Sequence, residues 1–143
     1  MQHTSLYLTA TDWVLTSMSR TRAGVWVANL VVHRLAADCG DSDLGGAVLE
    51  SLGASHLDVP HPDSLPAHHR RLREELGVMS LDGFLGRARL LAIHRVQSAV
   101  VLTAHRNRGT QHGFEPLPGK LTLQSPEPSA LGEAVRRCAD QCE

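Results

Sequence analysis

The chain has few aromatic residues: two Trp, two Phe and one Tyr among 143. Recognition of single-stranded nucleic acid relies on bases stacked against such rings among basic residues, so their scarcity argues against a nucleic-acid-binding module. A net charge of −1 does nothing to draw the chain toward a polyanion or an anionic lipid surface. Long apolar runs are missing as well. Val25 to Val32 is short, is interrupted by Asn29, and falls well below the roughly 18 to 20 residues that cross a bilayer. Met1 to Ala10 lacks the basic start, continuous apolar stretch and small-residue cleavage site of a secretory signal, which predicts a cytoplasmic protein with no membrane partner. Cysteine is sparse and odd in number (Cys39, Cys138, Cys142) with no CxxC pair, the usage of a reducing compartment.

Two stretches each lack charge of one sign. Between Leu35 and His69 there is no Lys or Arg, while Asp38, Asp41, Asp43, Glu50, Asp58 and Asp63 occur. Between Gly83 and Phe114 there is no acid, while Arg87, Arg89, Arg95, Arg106 and Arg108 occur. Such patches are solvated faces, partners of one another within the fold, or a surface offered to a charged partner.

What is present reads as one globular domain over 1–143. Hydrophobic residues make up 42% and charged residues 20%, ordinary for a chain long enough to bury a core without metal or disulfide staples. Ser5 to Thr9 suggests a short strand, and Gly24 to Leu35, rich in Val with Trp26, a longer one. Asp41-Ser42-Asp43 offers caps for a helix over about 43–55, with Leu44, Val48 and Leu52 inward and Glu50 outward. Pro66 opens a second helix over about 66–76, ended by Gly77, and Ser80 caps a third over about 80–86. A period of two from Arg87 to Val96 and again from Ala99 to His105 predicts a hairpin turning at Gln97-Ser98. His112 to Leu117 and Leu121 to Gln124, around Pro118-Gly119-Lys120, suggest a second hairpin, and about 129–140 forms a terminal helix. The expectation is an α+β domain with an antiparallel sheet of about four to six strands and its helices mainly on one face.

Motifs for chemistry fail one by one. His56, His61, His68 and His69 are clustered in sequence but match no HExxH, HxH or Cys/His zinc spacing. Counting a calcium loop from Asp38 puts Asp43 at the glycine position and Leu49 at the bidentate glutamate. Gly113 to Lys120 has the wrong glycine spacing for a phosphate loop, and Leu121 replaces its hydroxyl residue. No serine sits in a GxSxG elbow. No catalytic residue, cofactor or metal is therefore expected. A small enzyme working through the histidines is the alternative in the enzyme class, and an adaptor unrelated to toxins is the alternative among binding proteins.

One series of segments is distinctive. Leu44-Gly45-Gly46-Ala47-Val48-Leu49-Glu50-Ser51-Leu52-Gly53 runs into Val59-Pro60-His61-Pro62; Leu76-Gly77-Val78, Ser80 and Phe84 follow, then Gly113-Phe114-Glu115-Pro116-Leu117-Pro118-Gly119 and Leu131-Gly132-Glu133-Ala134-Val135-Arg136. Over about residues 44–137 this series resembles immunity proteins of bacterial contact-dependent growth inhibition systems. The resemblance implies a cytoplasmic, non-enzymatic protein that binds and neutralises the toxic C-terminal domain of a cognate effector, often a nuclease. A nuclease presents cationic groups to its substrate, so an inhibitor can oppose them with carboxylates. Asp41, Asp43, Glu50, Asp58 and Asp63 are the candidates for a toxin-facing surface, with helix capping the competing role for Asp41 and Asp43.

Overall fold

A computed structural model describes residues 1–143. The chain opens with three strands, β1 (Gln2–Leu8), β2 (Asp12–Arg20) and β3 (Trp26–Ala36). Three helices follow, α1 (Asp41–Gly53), α2 (Leu65–Leu76) and α3 (Leu81–Arg87). It ends with β4 (Arg89–Val96), β5 (Ala99–Asn107), β6 (Phe114–Pro116), β7 (Leu121–Gln124) and α4 (Pro128–Ala139). All seven strands join one antiparallel sheet in the order β3-β2-β1-β4-β5, with β6 and β7 on different halves of β5. The sheet exceeds the expected four to six strands because β2, which lacks clean alternation, is a full strand. The expected second hairpin is also corrected. β6 pairs with His105 to Asn107 and β7 with Ala99 to Leu102, so the two short strands never pair with each other. The long β5 offers each a separate stretch of main-chain partners.

The four helices lie where the caps and breakers place them. Ser64 accepts the Ala67 N–H with Pro66 in the first turn, Ser80 accepts the Gly83 N–H, and Gly77 closes α2 at φ 67°. α1 differs in one respect: Gly40 is its N-cap and makes no side-chain cap, while Asp41 and Asp43 fall in the first turn, where carboxylates favour the helix dipole.

The helices divide between two faces of the sheet, not one. On the first face Leu6, Leu15, Leu91, Ile93 and Leu102 meet Leu44, Val48 and Leu52 of α1 and Leu131, Val135 and Cys138 of α4 in a single buried cluster. On the second face Tyr7, Thr16 and Met18 lie under α2 and α3. The physical reason is the composition of the central strands: Leu90, Leu91, Ala92 and Ile93 are all buried, so an antiparallel strand here is covered on both sides. Cys142, beyond the terminal helix, is also core, its thiol against the Leu90 carbonyl.

Near its middle, β3 departs from regular pairing. Thr16 partners Val32 and Met18 partners Ala28, so Ser17 faces the three residues Asn29, Leu30 and Val31, and Leu30 takes φ 70°. The Asn29 amide fixes this bulge: its nitrogen lies 2.9–3.0 Å from Ser17 Oγ, Ser19 Oγ and the Ala54 carbonyl, among which it shares its two hydrogens.

α1 and α4 touch through their backbones. A Cβ on Gly45 would overlap the Pro128 carbonyl, and one on Gly132 would overlap the Asp41 carbonyl. Gly46, one position along, faces open space. Gly45→Ala and Gly132→Ala should each destabilise the fold by about 1–3 kcal/mol or more through overpacking, whereas Gly46→Ala should be neutral or slightly stabilising, as read by urea denaturation.

Candidate functional site

β3 is an edge strand that pairs only with β2, and three of the predicted acidic residues line grooves at its two ends. Asp43 and Glu50, seven positions apart and so on one side of α1, line a shallow groove with Leu35, Ala36 and Cys39. Glu50 is outward, its carboxylate 3.4 Å from His33 Nε2. Asp63 lies in a wider groove of about 680 Å³ near the start of β3, beside Val27, Val31, Ala67 and Arg71. Asp58 is exposed in the intervening turn, held at φ 58°. Four of the five candidates are thus exposed on segments that flank β3 or follow α1. An edge strand with main-chain groups open along one side is a ready place for another chain to meet.

Asp41 belongs to a different construction. Its carboxylate accepts from Arg136 Nε at 2.7 Å, and the same guanidinium donates to the Ala37 and Cys39 carbonyls and sits over the Trp13 ring at 5.7 Å. Arg136 thereby ties α4 to the β3–α1 turn. No ion pair joins the acidic segment to the basic one. Arg106 and Arg108 pair instead with Glu115, and Arg106 also with Glu143.

A polar layer that single-segment patterns do not reveal anchors the far end of α1. Thr4 and Ser51 hydroxyls bond at 2.7 Å, Ser55 Oγ accepts the His3 N–H and donates to the Met18 carbonyl, and Ser19 Oγ accepts the His56 N–H. These contacts join residues distant in the chain, and only the serines and threonines inside otherwise apolar strands signal them. His56, His61 and His68 line the wider groove, yet no three His, Cys, Asp or Glu side chains are placed to hold a metal ion. The three thiols are free.

The second face carries a histidine pair. His3 stacks on His94 with centroids 4.1 Å apart and meets Trp26 edge-on at 5.1 Å. Burial, with smaller contributions from His94 and His105, pushes the His3 pKa down to about 3, and burial lowers His94 too. Beside Trp26, a smaller, mainly apolar and partly open cleft of about 220 Å³ lies between the sheet and helices α2 and α3.

No protein-family model matches this sequence, and neither does any curated protein. Solved structures do. The fold is similar to that of a Neisseria meningitidis protein of unknown function, with a TM-score of 0.82 and 14% identity over 99% of this chain and 95% of the other. It is also similar to a chain of the CdiA-CT/CdiI toxin and immunity complex from Yersinia pseudotuberculosis, with a TM-score of 0.79 and 15% identity over 99% and 97% of the two chains. At such identities the likeness is one of fold, and it extends over nearly the whole of each chain. No helix is long and apolar enough to cross a membrane.

The histidine pair sets an acid response. Unfolded, His3 takes up a proton near its ordinary pKa of 6.5; folded, it refuses one until about 3. The unfolded chain therefore binds more protons between those values, and the stability contributed by neutral His3 is complete above about pH 6.5 and is lost as pH falls toward 3. Denaturation at pH 7.5 and pH 4.5 should differ by on the order of a few kcal/mol, and His3→Phe should reduce that difference.

Proposed function

We propose that the chain is an immunity protein that binds and neutralises the C-terminal toxin domain of a contact-dependent growth inhibition system, with residues 1–143 acting as one immunity domain in the cytoplasm. The observation that carries this reading is the end-to-end fold similarity to a chain of the Yersinia pseudotuberculosis toxin and immunity complex. The segments around Gly45, Pro60 and Gly132 that resemble immunity proteins support it independently. A binding role agrees with exposed carboxylates beside an edge strand.

We read the toxin as a nuclease and its contact surface as the margin of β3. Asp43, Glu50, Asp58 and Asp63 would face cationic groups that the toxin uses on a phosphate backbone, while Asp41, held by Arg136, serves mainly the fold. Exposed charges of this kind act chiefly through the association rate.

Co-expression with the toxic domain encoded by the neighbouring gene tests the proposal, scored by restored growth; continued growth arrest despite soluble, folded protein would overturn it. The double reversal Glu50→Lys with Asp58→Lys should slow association about tenfold at low salt, with the difference shrinking at high salt. Unchanged association and neutralisation by that variant would remove the acidic margin from the interface. Asp41→Asn should lower the denaturation midpoint and leave the association rate of the folded protein unaltered.

A further inference from the structure

Helix α2 carries charge that serves neither its own stability nor the rest of the fold. Its outward surface, an arc of about 100° turned away from Leu72 and Leu76, holds Ala67, Arg70, Arg71 and Glu74, with Glu75 beside it. The two arginines and two glutamates are exposed, and none forms an ion pair within the chain. Arg73 lies to one side, in a groove with His69 and Asp82. The order of signs is unfavourable for a helix on its own. Arginine before glutamate is the weaker direction for pairs four residues apart, and the glutamates occupy the last turn, where the helix dipole repels carboxylates. Apolar side chains are exposed at both ends of the same helix: Leu65 at its start, 44% exposed, and Met79 just past its end, at 95% the most exposed large apolar residue of the protein. The helix is also lightly fastened. Leu76 is its only buried residue, and Arg34 donates to the Leu76 carbonyl.

These features complement one another when the helix is turned end for end. We propose that α2 is a self-association surface, on which a second copy of this chain docks its own α2 antiparallel about a two-fold axis level with Leu72. Residues equally spaced before and after Leu72 then lie opposite each other. Arg70 faces the partner's Glu74, Arg71 reaches the partner's Glu75, and symmetry makes each pair twice. Leu65 and the partner's Met79 cover one another at both ends of the contact. Ala67 lies opposite the partner's Gly77, so little bulk holds the backbones apart. The glutamates of each last turn come beside the N-terminal half of the other helix, where its dipole attracts them.

Charge complementarity selects this occupant. The outward surface carries both signs, arginines first and glutamates after, and the reversed copy of the same helix presents them in matching order. A wholly acidic or wholly basic partner would meet like charge over half of the helix. One helix pair is a small contact, which places the dimer in the weak, transient class. The surface uses none of Asp43, Glu50, Asp58 and Asp63, so it stands apart from the toxin-binding proposal and is tested without a toxin.

Sedimentation velocity on the full chain, over a concentration series at low salt, provides the test. The protein should pass from monomer to dimer as concentration rises and return toward monomer at high salt. Arg70→Glu and Glu74→Arg should each weaken dimerisation by at least about tenfold, because each sets like charges face to face. Met79→Ser, outside the helix, should weaken it with the charges untouched. Exchange of both charges in one chain, Arg70→Glu with Glu74→Arg, should restore the dimer, and an equimolar mixture of the two single variants should form a heterodimer. A chain that stays monomeric throughout the series, or charge variants that dimerise as tightly as the unmodified protein, would overturn the assignment. So would failure of either the exchanged chain or the mixture to recover association. The concentration series on the unmodified protein and the Met79→Ser variant decide the matter even if a charge variant fails to fold.

Discussion

Two glycines set the spacing on which the first face depends. Because Gly45 and Gly132 carry no side chain, α1 and α4 meet backbone to backbone, and Leu44, Val48, Leu131 and Val135 can all reach the same layer of sheet residues. A methyl group at either position would push the helices apart and withdraw one set from the core. Arg136 closes the arrangement from the side, linking α4 to the turn that starts α1. The position of α1 in turn decides where Asp43 and Glu50 stand relative to β3. Packing between two helices thus governs the placement of charges that make no contact with it.

The two faces of the sheet are built to different standards. The first has a continuous apolar cluster and paired hydroxyls between strand and helix. The second combines stacked neutral histidines, a partly open apolar cleft, and helices fastened mainly at their C-terminal ends. Local opening free energies follow buried apolar contact, so the second face is where motion and sensitivity to conditions concentrate. Its chemistry is adaptable because the first face does not rely on it for a core.

Much of this architecture was legible in the sequence. Pro66 before helical spacing with Gly77 after it, and Ser80 before the next helix, mark helices by local backbone preferences that need no knowledge of distant partners; the Ser64 cap was not read. The β4–β5 hairpin was equally local, with a two-residue turn and clear alternation on either side. β2 escaped because Thr16, Ser17 and Ser19 interrupt its apolar pattern, and their burial is intelligible only once Asn29 and the residues after α1 are seen to satisfy them. The partners of β6 and β7 were also beyond local signals, since Pro118-Gly119 suits a turn whether or not its arms pair. The second covered face was missed: the expectation placed the helices mainly on one side, although the unbroken apolar run Leu90-Leu91-Ala92-Ile93 leaves no polar position to face water. For the candidate surface, each carboxylate was visible individually; the placing of Asp43, Glu50 and Asp63 in grooves beside β3, and the ion pair of Asp41 with Arg136, depend on tertiary contacts alone.

The irregularity in β3 has a parity. Between the paired positions Thr16–Val32 and Met18–Ala28, β3 holds two residues more than β2. An even surplus preserves the phase of a two-residue alternation, so Ala28 before the bulge and Arg34 after it still point to the same side, and Arg34 reaches α2. The surplus is absorbed where Asn29, Leu30 and Val31 stand opposite Ser17, so the pairs on either side keep their faces and Leu35 stays with Trp13 on the side of α1. The strand can therefore bend at its middle without moving Arg34 away from α2.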